Sequence, residues 1–193
     1  MAKTALLLVD FQNDYFGSFD GARFPLHGTE AAAANAAGLV RAFRDADRPV
    51  VHVRHEADPD TGVFFLPGTA GAAIHDALAP QRDERVVLKH RVNSFLDTEL
   101  KALLDEDGID SLVIVGAMSH MCVDAATRAA RDLGYACTVV HDACATRALE
   151  FNGVNVPAPQ VHAAFMAALA FAYAEVVDTD CVLERLRQGD IVG

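Results

Sequence analysis

Short runs of consecutive apolar residues recur along the chain, separated by longer segments in which apolar and polar residues are mixed. The first run, Thr4–Val9, shows no alternation of polar and apolar side chains. Uninterrupted runs are typical of strands that are covered on both faces, as in parallel sheets. The pattern predicts six strands, at residues 4–9, 50–53, 85–88, 112–115, 136–140 and 175–177.

The segments between these runs predict helices. They cover residues 30–46, 96–107, 159–172 and 182–188, and one more helix begins near Ser119. Residues 55–71 and 143–157 are rich in turn-forming residues and predict loops. Because strands and helices alternate, we expect one domain, residues 1–193, with a three-layer α/β/α fold around a six-stranded, mostly parallel, Rossmann-like sheet.

Composition narrows the possible partners. The 193 residues are 52% hydrophobic and carry a net charge of -11, with no cluster of Lys or Arg, so we expect no nucleic-acid partner and no membrane partner. No apolar run approaches the ~18–20 residues of a membrane span. The first ten residues show no export signal, and the four cysteines form no C-x-x-C pair. We therefore expect free thiols and a cytoplasmic protein.

Three reactive side chains follow predicted strands directly or within a short turn. Asp10 follows the first strand, Lys89 the third, and Cys122 the fourth. Ligands of open α/β sheets bind at the carboxyl ends of the strands, so we expect these three groups to converge. Cys122 falls in the first turn of the predicted helix, where the helix dipole is expected to lower the pKa of its thiol.

Each residue also has an ordinary structural interpretation. An Asp at a strand end is commonly a turn residue, a Lys there is commonly solvated, and a Cys in an apolar context is commonly an inert core residue. Spacing alone leaves these alternatives open.

Four motifs along the chain together resemble the motifs of one protein family. They are LLLVDFQNDYF at 6–16, LKHRVNSF at 88–95, GAMSHMCVDAATRAARDLGY at 116–135 and VVHDACATR at 139–147. Together they resemble the isochorismatase-like cysteine hydrolases, which include nicotinamidases, N-carbamoylsarcosine amidases and isochorismatases. The resemblance implies a catalytic triad of Asp10, Lys89 and Cys122, and a cis peptide at Ala117–Met118. It also implies an oxyanion hole formed by the N–H groups of Met118 and Cys122.

The implied reaction is hydrolysis of a small-molecule amide-type C–N bond through a thioester on Cys122, without a cofactor. Nicotinamidases of the family bind a metal through a segment resembling D-W-H-x-x-x-x-H. Here the corresponding residues read Arg-His-Glu-Ala-Asp-Pro at 54–59, and Ala57 stands where the first His is required. We therefore expect no metal site and no nicotinamidase activity.

Two other functions stay open at this point. One is isochorismatase-type vinyl-ether hydrolysis with Asp10 as the acid, and the other is an inactive binding or scaffold protein. Several residues are candidates for the substrate pocket: Gln12, Phe16, His55, Phe64, Asn93 and His120. The apolar residues 64–66 and the Ala-rich helices would be unfavourable if exposed to water. We therefore expect another copy of the chain to bury them in a homo-oligomer, either a dimer or a tetramer.

Overall fold

The computed structural model describes residues 3–189 and contains one six-stranded sheet in which every pairing is parallel. Its strands are β1 (Thr4–Val9), β2 (Val50–His55), β3 (Arg85–Lys89), β4 (Ser111–Ala117), β5 (Ala136–Ala145) and β8 (Glu175–Val177). They lie in the order β3-β2-β1-β4-β5-β8. The predicted α/β fold is confirmed.

Five α-helices cover the two faces of the sheet. They are α1 (Thr29–Asp45), α2 (Leu100–Glu106), α3 (Asp124–Asp132), α4 (Ala158–Ala172) and α5 (Thr179–Gln188). Alternate residues of β1 face opposite layers: Leu6 and Leu8 pack with α1 and α5, whereas Leu7 and Val9 pack with α2, α3 and α4. Both faces are therefore buried, which is why the strands read as uninterrupted apolar runs.

The strand order reverses between β1 and β4, and this point fixes where a site can form. The two strands lie side by side, with Val9 opposite Gly116. A Cβ at Gly116 would lie 2.1 Å from the Val9 carbonyl oxygen, so only glycine fits there. The crevice at the carboxyl ends of β1 and β4 is the ordinary ligand site of such a sheet.

Three predicted elements differ from the structure. The helix predicted over residues 182–188 begins earlier, at Thr179, because the Asp178 side chain accepts the Cys181 N–H. Helix α2 begins at Leu100 rather than at residue 96 because Asp97 adopts a positive φ of 56° and the Thr98 hydroxyl accepts the Leu100 N–H. The predicted loop 143–157 instead continues β5 to Ala145 and then forms a hairpin of β6 (Leu149–Phe151) and β7 (Val154–Val156).

The hairpin turn is the Asn152–Gly153 pair, and both residues have positive φ. An Asn-Gly pair between two short apolar segments is a strong hairpin signal that the sequence prediction overlooked. Among residues 3–189 no helix combines the length and the apolar character that crossing a membrane requires.

Candidate active site

Asp10, Lys89 and Cys122 meet at the carboxyl ends of β1, β3 and β4. The Lys89 Nζ lies 2.8 Å from Asp10 Oδ2 and 3.2 Å from Cys122 Sγ. The side chains of Asp10 and Lys89 are 0% exposed, and Cys122 is 4% exposed. A buried ammonium is stable only when it is paired, and here it joins a carboxylate to a thiol.

A fourth side chain, His55 at the end of β2, contacts the same ammonium. Its Nδ1 lies 3.0 Å from Lys89 Nζ, and the Arg91 carbonyl oxygen lies 3.1 Å from the same atom. Burial would lower the pKa of Lys89, but the charges of Asp10 and Cys122 outweigh it and the pKa is raised. Lys89 is therefore a cation throughout the neutral range.

The same residues decide whether a metal ion fits. Asp10, His55 and Cys122 form the one group of three potential metal ligands found among residues 3–189, with ligand atoms within 4.8 Å of one another. The Lys89 ammonium already lies between 2.8 and 3.2 Å from each of them. A metal ion would have to displace this cation, so the arrangement does not fit one.

The expectation that the helix terminus lowers the pKa of Cys122 is wrong. Burial raises the pKa of the thiol, the charge of Asp10 raises it further, and Lys89 only partly opposes them. Cys122 also lies before α3 rather than in its first turn, in a π-helical turn that spans Ser119–Val123. The resting sulfur is therefore a thiol, and a base must remove its proton.

Backbone and side-chain hydrogen bonds hold the turn that carries Cys122. The N–H groups of Met121 and Val123 both donate to the Met118 carbonyl oxygen, and the Ala117–Met118 peptide is cis. The buried Ser119 hydroxyl donates to the Ala145 carbonyl oxygen on β5 at 3.2 Å. The oxyanion hole of Met118 and Cys122 stays a prediction.

Gln12 has a role that the pocket assignment did not foresee. It is fully buried, and its Oε1 accepts the His55 N–H at 2.7 Å while its Nε2 donates to the carbonyl oxygens of His55 and Ala72, both at 2.8 Å. The amide thus pairs with the backbone of β2 as a neighbouring strand would. Gln12 therefore positions His55 and the 70–72 turn, and its contact with substrate stays a prediction.

Two further pocket candidates, Phe16 and Asn93, contact neighbouring residues of the chain. Phe16 is 1% exposed and stacks on His75 with ring centroids 3.8 Å apart. The Asn93 side chain accepts the Phe95 N–H at 2.9 Å and thereby closes a local turn after Lys89.

The structure also describes the surroundings of the last two pocket candidates, Phe64 and His120. Phe64 is half-buried and stacks on Phe24, which lines an open groove of about 860 Å³. His120 precedes Cys122 by two residues, and its Nδ1 lies 2.6 Å from the Thr146 hydroxyl. Their contact with substrate stays a prediction.

Two further residues, Tyr15 and His162, were not among the predicted site residues but interact with groups of the site. Burial first, and then the charges of Cys122 and Asp10, raise the pKa of Tyr15 well above its usual value, which places this ring beside the triad. Tyr15 stands within the motif at 6–16, so the motif itself was the available signal. The Nδ1 of His162 lies 2.9 Å from the Ser119 hydroxyl, a contact between α4 and the nucleophile turn that has no local sequence signal.

Comparison with known proteins identifies the family of the chain. The family model of the isochorismatase domain matches residues 4–181. The chain is 46% identical over 181 residues to YddQ, an isochorismatase family protein of Bacillus subtilis, covering 94% of this chain and 99% of that protein. It is 31% identical over 167 residues to the maleamate amidohydrolase of Pseudomonas putida, covering 80% of this chain and 78% of that enzyme.

A solved structure extends the agreement to three dimensions. The crystal structure of an isochorismatase hydrolase from Oleispira antarctica has a TM-score of 0.92 and 63% sequence identity, covering 94% of this chain and 96% of that one. The chain described here belongs to the isochorismatase family of hydrolases.

Proposed function

We propose that this chain hydrolyses an amide-type C–N bond of a small molecule through a thioester on Cys122. The observation that carries the proposal is the buried Lys89 ammonium, 2.8 Å from the Asp10 carboxylate and 3.2 Å from the Cys122 sulfur. The 31% identical enzyme of Pseudomonas putida is by name an amidohydrolase, which supports the same bond type here. The small exposed fraction of Cys122, 4%, favours a small substrate over a folded polypeptide.

The first half-reaction begins from a neutral thiol, because burial and Asp10 raise the pKa of Cys122. Asp10 takes the thiol proton as the sulfur attacks the carbonyl carbon, and the C–S bond forms. The N–H groups of Met118 and Cys122 stabilise the resulting oxyanion. Asp10 then gives the proton to the departing nitrogen, the C–N bond breaks, and a thioester remains.

The second half-reaction repeats these steps with water. Asp10 takes a proton from water as its oxygen attacks the thioester carbonyl. The C–S bond breaks, the carboxylic acid leaves, and the sulfur recovers its proton from Asp10. Lys89 keeps its proton throughout, and its charge offsets the negative charge that moves between Asp10 and Cys122.

The test is an amide panel that reads ammonia release from the wild-type protein and from two variants. We expect Cys122→Ala to abolish release, while Cys181→Ala, which removes the least buried of the four thiols, leaves it unchanged. Because Asp10 can take the proton of the Cys122 thiol, iodoacetamide should label Cys122 faster than Cys137 and Cys144, which are buried to a similar degree.

Two outcomes would contradict the proposal. Vinyl-ether cleavage that survives Cys122→Ala and is lost in Asp10→Asn would identify the ether hydrolase instead. Absence of any turnover, with equal and slow labelling of all four thiols, would identify an inactive binding protein.

We also propose that the protein is cytoplasmic, because its four cysteines are free and thiols stay reduced in the cytoplasm.

We propose a homo-oligomer that forms through α4. Residues 158–174 contain no Asp, Glu, Lys or Arg in a chain of net charge -11, and Phe171 is 91% exposed. Phe151 on the adjoining hairpin is 77% exposed. Two acidic copies can approach without charge repulsion at such a face. The sequence argument from residues 64–66 fails, because Phe64 and Phe65 already pack on Tyr15.

Light scattering at micromolar concentration checks the oligomer. We expect an oligomer for the wild type, a monomer for Phe171→Lys, and no change for the control Leu133→Lys on the end of α3. A monomeric wild type would refute the proposal.

A further inference from the structure

The His55 ring has a defined proton position. The Lys89 ammonium has three N–H donors and no acceptor, and it shares them among His55 Nδ1, Cys122 Sγ and the Arg91 carbonyl oxygen. A proton on Nδ1 would face this cation at 3.0 Å and be repelled by it, so the contact favours a lone pair on Nδ1. A neutral imidazole with an unprotonated Nδ1 carries its proton on Nε2. The structure thus selects one tautomer of His55.

The charges around His55 favour this neutral ring. Burial lowers its pKa to about 4, and the positive charge of Lys89 lowers it as well. Asp10 opposes the effect, and the neighbouring His90 adds to it. At neutral pH the ring carries no charge.

The backbone of His55 is also held in place, by two hydrogen bonds with the Gln12 side chain. The buried Gln12 amide brackets the residue, accepting its N–H at 2.7 Å and donating to its carbonyl oxygen at 2.8 Å. Gln12 lies two residues after Asp10, so the segment that supplies the catalytic acid also sets the position of the His55 ring. No acceptor within residues 3–189 makes a hydrogen bond to His55 Nε2, although the ring is only half-buried.

We propose that His55 is a fourth residue of this site, which positions the Lys89 ammonium through Nδ1 and offers its Nε2–H to an acceptor oxygen of the substrate. The proposal rests on the amide hydrolysis proposed above. The substrate class that it selects consists of amides with a second oxygen acceptor, such as a carbonyl or a carboxylate. A simple aliphatic amide lacks that partner and is expected to bind less well.

Two variants separate the two contacts. His55→Asn places an amide oxygen near the former Nδ1 and keeps an acceptor for Lys89, but it has no donor at the former Nε2. His55→Gln keeps a donor near the former Nε2 but loses the acceptor at Nδ1. His55→Leu loses both, and His90→Gln is the control, since His90 is exposed and binds only the Glu56 carbonyl oxygen at 3.0 Å.

The kinetic test compares succinamate with butyramide, two small amides of which only the first has a second oxygen acceptor. We expect His55→Asn to raise KM for succinamate and to spare butyramide, and His55→Gln to lower kcat for both. His55→Leu should lower kcat/KM for succinamate by between about tenfold and 100-fold, the range for loss of a hydrogen bond to a charged group. His90→Gln should stay within about twofold of the wild type.

A second measurement needs no substrate. Long-range proton–nitrogen NMR of the full chain at pH 7 should show His55 as the neutral Nε2–H tautomer. A protonated ring or the Nδ1–H tautomer would overturn the inference, as would equal kcat and KM values for His55→Leu and the wild type. If the wild type hydrolyses no amide, the proposed function fails, and the NMR spectrum still decides whether Lys89 fixes His55.

Discussion

Two charged networks join β2 to the β3 segment, one at each end of these strands. At the amino ends, Glu84 binds Arg44 and His52, and at the carboxyl ends Lys89 binds Asp10, Cys122 and His55. His52 and His55 stand three residues apart on the same strand. Similar side-chain types at the two ends therefore serve different purposes.

The networks differ in how fully their carboxylates are hydrogen bonded. Glu84 receives Arg44 on both oxygens, at 2.7 and 2.8 Å, and the Gln81 N–H at 2.8 Å. Asp10 is 0% exposed, and neither of its oxygens accepts a hydrogen bond of good geometry from the described residues, although Oδ2 forms the ion pair with Lys89. A saturated carboxylate stabilises a fold, whereas a buried carboxylate short of donors is free to accept a proton.

The largest effect on stability and activity is expected when Lys89, the cation that pairs with Asp10, is replaced. Lys89→Met leaves a buried carboxylate unpaired, so we expect the free energy of unfolding to fall by about 3–5 kcal/mol. Amide turnover should fall by about 10²–10³-fold, as for loss of a fixed charge that stabilises the transition state. Urea unfolding and steady-state kinetics measure the two effects.

A double variant shows whether the lost stability comes from the unpaired charge. Asp10→Asn combined with Lys89→Met removes both charges, so we expect it to recover part of the lost stability but none of the activity. Additive losses would mean that the ion pair contributes no coupling.

Glu84→Gln should have a smaller effect that is confined to stability. The substitution weakens hydrogen bonds to Arg44 and His52, and we expect a loss of about 1–2 kcal/mol in the free energy of unfolding with kcat unchanged. The same urea and kinetic assays apply, and Glu106→Gln is the control, because Glu106 is exposed and lies 3.7 Å from Arg85. A large loss of kcat would show that the two networks are coupled through β2.

The ionisation of Glu84 also predicts how the free energy of unfolding changes with pH. Burial would raise the pKa of Glu84, but Arg44, the Gln81 N–H and His52 together lower it to about 2. A carboxylate with a depressed pKa stabilises the fold above its unfolded value, and the contribution is lost as the pH falls toward the folded value. The wild type should therefore lose this contribution between the ordinary Glu range and about pH 2, and Glu84→Gln should not.

The sequence predicted the fold and the convergence of Asp10, Lys89 and Cys122 because these depend on local patterns. Uninterrupted apolar runs specify a sheet with two covered faces, and strand ends bring their neighbours together. The thiol pKa could not be predicted this way, because it is raised by burial and by the charge of Asp10, and Asp10 is distant from Cys122 in the chain. The Gln12 contacts with β2 cross 43 residues, so no spacing in the chain reveals them.

The last predicted effect concerns the His55 ring in acid. Its pKa is lowered to about 4, below the ordinary value of 6.5, so between these values the unfolded chain binds a proton that the folded chain does not. Stability therefore rises with pH across this interval, by at most about 1.4 kcal/mol per pH unit for one group. In His55→Leu no ring titrates, so we expect a shallower slope of unfolding free energy between pH 4 and 6.5, measured by urea titration at several pH values. An unchanged slope would mean that burial and the charge of Lys89 do not hold the His55 ring neutral, which would contradict the neutral form assigned to this ring.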